Sequence, residues 1–248
     1  MSLIPSFSAN TNAVVVGASG GIGAALTRHL ANDERVASVH ALARTDVDSD
    51  SSKVVRGYLD ITCERAIAEA STRCSAAAEV DLVIVATGIL HAGNRVRPEK
   101  RMSELDGDVM RESFTVNTIG PALVAKHFLP KMARGRKTVF AALSARVGSI
   151  GDNRLGGWMS YRASKAALNM LLKTLAIEQS RMRPESVVVG LHPGTVDTNL
   201  SRPFQRNVAE QKLFTPDFAG ECLLRVVDNL NGTDSGGIFA WDGKRIEY

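Results

Sequence analysis

Short runs rich in valine and alanine alternate along the chain with stretches whose apolar residues recur every three or four positions. The runs at residues 13–16, 39–43, 54–58, 82–86, 138–143 and 187–191, with a weaker one at 238–241, read as strands. Their apolar character is almost unbroken, as a parallel strand covered on both faces requires. Between them, residues 22–31, 64–74, 109–132, 161–181 and 218–230 carry the helical spacing. Thr215 followed by Pro216 reads as an N-cap and a first-turn proline opening the last helix. With right-handed crossovers, this alternation predicts an α/β fold with a doubly wound parallel sheet.

No repeat, low-complexity tract or linker interrupts the pattern, so residues 1–248 are expected to form a single domain. Two longer irregular stretches, 144–160 and 199–214, each follow the end of a strand. Ligands of open parallel sheets bind at that edge, so these stretches are expected to wall a substrate pocket, the second as a lid.

Composition narrows the function classes. At 44% hydrophobic and 23% charged residues, the chain has enough apolar material for a full core. A net charge of +4 without a basic stripe argues against nucleic acid as a partner. The densest basic cluster, Arg134, Arg136 and Lys137, is expected to solvate a turn. Cys63, Cys74 and Cys222 have neither metal-ligand nor disulfide-framework spacing, and the five histidines are dispersed, so no metal is expected. No run approaches the ~18 apolar residues of a membrane span. The N-terminal MSLIPSFSANTN lacks the basic start and apolar run of a signal peptide, which points to the cytoplasm.

The chemistry is concentrated at three places. The first predicted strand runs into Gly17-Ala18-Ser19-Gly20-Gly21-Ile22-Gly23 and then a helix, the context in which glycines let backbone amides approach a dinucleotide's phosphates. The second strand ends Ala43-Arg44, with no carboxylate for a ribose 2′-hydroxyl and an arginine able to take a 2′-phosphate, so NADP is expected ahead of NAD. Tyr161 and Lys165 stand four residues apart, on one face of a helix. A cation beside a phenol favours its ionised form, and Lys165 is expected to lower the Tyr161 pKa from about 10 toward the range useful for acid–base work.

These motifs, the Rossmann fold they imply and the residues around them resemble the short-chain dehydrogenase/reductase family over essentially the whole chain. Asp60 in LDIT matches the family's adenine contact, with Ile61 beside it, and Ala86-Thr87-Gly88 occupies the place of its Asn-Ala-Gly segment. Asn117 in VNTIG matches the tetrad asparagine, and YRASK supplies Tyr161 and Lys165. Pro193, Gly194, Val196 and Thr198 match the PGxVxT segment that holds the nicotinamide amide. GSIGDNRLGGWMSYRASKAALN and FAWDGKRIEY further resemble the C-factor-like and sniffer-type carbonyl reductases. The resemblance implies reduction of a small carbonyl compound, a nicotinamide cofactor contacted also by Ser19, Gly21 and Ile22, and a homodimer or homotetramer paired through the long helices.

Two departures from the family pattern matter. Thr87 replaces an asparagine, with little loss expected. The family reads Ser-Ser-x-x-Gly after its fifth strand, whereas this chain reads Leu143-Ser144-Ala145-Arg146-Val147-Gly148. Ser144 is therefore assigned the catalytic serine's role only if a bulge re-aims it. Ser149 is the substitute, and a Ser144 confined to backbone bonding is the bland reading. Trp158, Met159, Phe204 and Phe214 are expected either to wall the substrate pocket or to cover the core. An NAD-linked alcohol dehydrogenase using the same residues, and a dinucleotide-binding sensor without turnover, remain as alternative functions.

Overall fold

The fold is seen in a computed structural model that describes residues 2–207 and 209–248; Val208, inside the expected lid, lies outside the described residues. The apolar runs form β1 (Thr11–Val16), β2 (Val36–Ala43), β3 (Val54–Tyr58), β4 (Leu82–Val85), β5 (Thr138–Leu143) and β6 (Ser186–His192). The short β9 (Ile238–Ala240) and β10 (Arg245–Ile246) complete an eight-stranded sheet of order β10-β9-β6-β5-β4-β1-β2-β3. Pairing is parallel throughout except between β9 and β10. A separate two-stranded ladder joins β7 (Thr195–Val196) to β8 (Leu213–Phe214).

Burial on both sides explains the unbroken apolar strands. Along β1, Ala13 and Val15 face a cluster containing Leu26, Leu30, Leu223 and Val227 from α1 (Gly21–Asn32) and α6 (Pro216–Asn229). Val14 and Val16 face the opposite cluster, with Ile67, Phe128 and Leu168. Those come from α2 (Glu64–Cys74), α4 (Gly120–Phe128) and α5 (Met159–Met182). The expected cap at Thr215 is present: its side chain accepts from the Phe218 amide. No helix among the described residues is long and apolar enough to cross a membrane.

Strand order reverses between β1 and β4, and that is where their C-terminal ends open a crevice. The glycine turn leaves β1 there and Ala86–Gly88 leaves β4 beside it, the Ala86 amide bonding back to the Val16 carbonyl at 2.7 Å.

One predicted helix is interrupted. Residues 109–132 divide into α3 (Gly107–Phe114), a wide π-type turn at Thr115–Ile119, α4, and a tight turn at Leu129–Lys131. Pro121 has no N–H to return to the Asn117 carbonyl, and the ladder widens so that the Gly120 amide reaches Thr115, five residues back. Periodicity alone cannot register this, because the apolar stripe continues across the break. Phe128, fully buried under β1, β4 and β5, is a keystone of the packing on this face. Phe128→Ala is expected to cost about 3–5 kcal/mol in a denaturant titration of stability.

Candidate active site

The glycine turn is held by its own backbone. Gly17 adopts φ +89°, and its amide bonds the Leu42 carbonyl at 2.7 Å. A Cβ on Gly23 would lie 2.1 Å from the Gly17 carbonyl oxygen, so no larger residue fits there without moving the turn. The first amides of α1 lack a side-chain cap and remain available to an anion.

Two cavities, of about 660 and 410 Å³, share Ser19, Gly20, Arg44, Ala86, Thr87 and Gly88 and so make one cleft along the sheet's C-terminal edge. Gly17, Asp60 and Ile61 line the smaller part. Gly21, Ile22, Gly23, Ser144, Tyr161, Lys165, Pro193 and Thr198 line the larger. Arg44 is exposed at the junction, and Ala43 behind it is buried. Asp60 accepts from the Thr62 amide and hydroxyl at 2.9 and 2.8 Å; these bonds, with Arg44 nearby, hold its pKa below the usual carboxylate range.

Trp158, Met159, Phe204 and Phe214 do not line the cleft, and neither do three of the residues assigned to the site. Asn117 is fully buried in the wide turn; its Oδ1 accepts from the Ile89 amide at 2.8 Å. Its Nδ2 donates to the Ile89 carbonyl at 2.9 Å and the Ser164 hydroxyl at 3.2 Å. It thus ties the β4 loop to α5. Gly194 (φ +78°) and Val196 belong to the turn and short strand behind Pro193 and Thr198.

Tyr161 and Lys165 are both buried on α5, with the Lys165 Nζ 5.9 Å from the centre of the Tyr161 ring. The ammonium donates to the Leu143 carbonyl at the end of β5, at 2.7 Å. Burial dominates both titrations. It pushes Tyr161 up to about 12 and Lys165 down to about 7. This reverses the expected effect of Lys165 on the phenol: water exclusion outweighs the nearby cation. Desolvation thus favours the neutral form of both side chains.

Ser144 borders the cleft, its amide bonded to the Leu191 carbonyl at 2.8 Å. Its hydroxyl donates to Asn169 Oδ1 at 2.6 Å, and the Asn169 amide reaches back to the Gly148 carbonyl at 3.4 Å. To serve a substrate, the hydroxyl has to exchange that partner. Ser149 instead accepts from the Asp152 amide. Asn169 was missed by the sequence reading, although it stands one helical turn beyond Lys165.

Next to Tyr161, Trp158 packs edge-on at 6.4 Å between ring centres and meets Phe204 at 4.9 Å. Phe204 in turn meets His91, whose Nε2 donates to the Asn199 carbonyl at 2.8 Å. Phe214 belongs to a different cluster, with Phe218 and Trp241. Thr87 borders both cavities, and its buried hydroxyl has no partner among the described residues. The threonine that stands in place of the family's asparagine thus makes no hydroxyl hydrogen bond among the described residues.

The strand order, the glycine turn at the switch point and the cleft beside it define an α/β protein of Rossmann type. A family model described as short chain dehydrogenase matches residues 11–209. The 1-hydroxy-2-glutathionyl-2-methyl-3-butene dehydrogenase of Rhodococcus sp. (strain AD45) is 30% identical over 237 residues, spanning 95% of this chain and 98% of that one. The C-signal protein of Myxococcus xanthus is 35% identical over 148 residues, 59% of this chain and 83% of that one. The NADPH-bound carbonyl reductase from chicken fatty liver superimposes with a TM-score of 0.82 at 26% identity, over 98% and 97% of the two chains. The chain belongs to the short-chain dehydrogenase/reductase family and is an oxidoreductase of carbonyl reductase-like character.

The shifted titrations make stability depend on pH. Between about 7 and 10.5 the unfolded chain holds a proton on Lys165 that the folded protein lacks, so stability rises with pH across that window. Above about 10 the folded protein retains the Tyr161 proton that the unfolded chain loses, and stability falls toward pH 12. Urea titrations are expected to show a Lys165 contribution approaching about 1.4 kcal/mol per pH unit in the lower window, absent in Lys165→Met.

Proposed function

We propose that the protein is an NADP(H)-dependent carbonyl reductase acting on aldehydes, ketones or quinones, with Tyr161 as proton donor. The observation that carries this reading is a buried phenol, its pKa raised by desolvation, that lines the same cleft as the glycine turn and Arg44. A Cβ-intolerant turn, uncapped amides and an arginine in place of a carboxylate fit a phosphorylated dinucleotide.

When bound, the reduced nicotinamide supplies the hydride. Amides of the glycine turn receive the diphosphate, Arg44 the 2′-phosphate, and Asp60 with Ile61 the adenine. Ala86 and Gly88 border the ribose, and Lys165 bonds its hydroxyls. Pro193 and Thr198 would orient the carboxamide, with Gly194 and Val196 shaping the turn behind them. Tyr161 gives its proton to the oxygen as negative charge develops there, and Ser144, released from Asn169, donates to the same oxygen. Pro121 leaves the Asn117 carbonyl without its helical partner, and that carbonyl is assigned the water that resupplies Lys165.

The Trp158–Phe204 edge beside Tyr161 favours flat, aromatic carbonyls over small aliphatic ones. Asn199, Leu200 and Arg202 of the expected lid border the cleft, where His91 in the loop after β4 bonds the Asn199 carbonyl. Pairing of copies through α5 is supported by exposed Met170 and Ile177, two helical turns apart. A sensor without turnover is the second reading. It is favoured by the similarity to C-signal and by a Ser144 hydroxyl already engaged with Asn169. Oxidation of an alcohol with NAD uses the same residues in reverse.

A panel of aldehydes, ketones and quinones assayed with NADPH separates these readings. Turnover of aryl carbonyls is expected; tight NADPH binding without any turnover indicates the sensor. Tyr161→Phe is expected to lose about 10²- to 10⁴-fold in kcat with NADPH affinity nearly unchanged, and wild-type turnover in that variant removes the tyrosine from the chemistry. Ala43→Asp with Arg44→Ala is expected to shift the NADPH-to-NADH preference by about 10- to 150-fold, the worth of one charge-assisted hydrogen bond. An unchanged ratio of the two kcat/KM values means that the 2′-phosphate is held elsewhere.

A further inference from the structure

The α5 helix carries both Tyr161 and Lys165, yet nothing in its own first turn caps it. Its N-cap residue is Trp158, which makes no capping side-chain bond, and the first turn holds no acidic residue. The leading amides of a helix need a partner when they are buried. Here the partner comes from sixty residues upstream. Glu99, in the loop after β4, is 2% exposed, and one carboxyl oxygen accepts from the Ser160 amide at 3.2 Å while the other accepts from the Ser160 hydroxyl. Ser160 immediately precedes Tyr161.

The same residue grips the turn ahead of the helix. Gly156, Gly157 and Trp158 follow one another in the left-handed region, with φ of +63°, +67° and +51°. Glycine takes that conformation freely; tryptophan does not. The Trp158 amide donates to the Glu99 carbonyl at 2.5 Å, and Arg162 holds the other side by donating to the Gly157 carbonyl at 2.9 Å. The left-handed turn is what aims the indole at Tyr161 and Phe204.

From these contacts we infer that Glu99 is a positioning residue for the reaction. Its carboxyl group fixes the start of the helix that presents the proton donor, and its carbonyl fixes the turn that packs Trp158 against Tyr161. The inference takes its kinetic readout from the carbonyl-reductase reading, but the contact itself is measurable without turnover. Glu99 touches none of the residues assigned to the cofactor, so its loss acts on presentation of the phenol and leaves the dinucleotide cleft intact.

Glu99→Ala, Glu99→Gln and Ser160→Ala test this in the full-length protein. Glu99→Ala is expected to lower kcat for an aryl ketone by about 10- to 100-fold, the cost of roughly an ångström of misplacement, with the NADPH dissociation constant changed less than about threefold. Glu99→Gln, whose amide oxygen still accepts from Ser160, is expected to restore kcat to within about fivefold of wild type. KM is expected to rise more for a bulky aryl ketone than for a small aldehyde in Glu99→Ala. Equal losses of kcat and NADPH affinity overturn the inference, because they mean general damage, and so does a folded Glu99→Ala with wild-type kcat. Should Glu99→Ala not fold, Ser160→Ala decides: a kcat reduced several-fold at constant NADPH affinity supports the clamp, and an unchanged kcat overturns it. If the wild type turns over no carbonyl, the functional reading fails, and amide hydrogen exchange still decides the contact. Slow exchange at Ser160 that becomes fast in Glu99→Ala and stays slow in Glu99→Gln supports the clamp; exchange that is fast in the wild type, or unchanged in Glu99→Ala, overturns it.

Discussion

The exclusion of water from the Tyr161–Lys165 pair is the constraint on which the site depends. A primary amine loses much of its preference for the charged form when buried, and a phenol gains preference for the neutral one. Both shifts are present here, with the amine brought to about 7 and the phenol to about 12. Burial thus favours the neutral form of both groups. The bond from Lys165 to the Leu143 carbonyl ties this pair to the end of β5, so the sheet itself sets its position.

Around the pair, long-range polar contacts replace what local sequence leaves unsatisfied. Asn117 joins the β4 loop to α5 through Ile89 and Ser164. Asn169 holds the Ser144 hydroxyl, and Glu99 holds the first turn of α5. The three bonds that reach α5, at Ser160, Ser164 and Asn169, each span more than twenty residues of sequence. Buried polar groups of this kind are costly unless paired, so the pairing and the geometry stand or fall together. The glycine turn is the complementary device on the other side of the cleft, where close backbone approach, not side-chain bonding, is the requirement.

The main strands, their cover on both faces and the places of Tyr161, Lys165 and the glycine turn on their elements were legible in the sequence, because each leaves a short-range signal. Apolar runs mark doubly covered strands, and a four-residue spacing marks one helix face. The break at Thr115–Ile119 was not legible: the apolar stripe continues through it, and only the missing Pro121 N–H betrays it. The direction of the two pKa shifts was also beyond the sequence, since proximity of a cation is visible in spacing whereas depth of burial is not. The short strands β7, β8 and β10 were missed, two residues each being below any periodicity. Asn169 could have been found by extending the Lys165 spacing by one turn. Glu99 could not, because its partners lie some sixty residues away.

A direct titration of the Lys165 side chain tests the central claim most closely. Carbon-13 NMR of ε-labelled lysines, with the Lys165 signal identified by its loss in Lys165→Met, is expected to give a midpoint near 7 for this one amine. A midpoint near the ordinary 10.5 contradicts the account, for it means that water reaches the pair and that burial does not govern its chemistry.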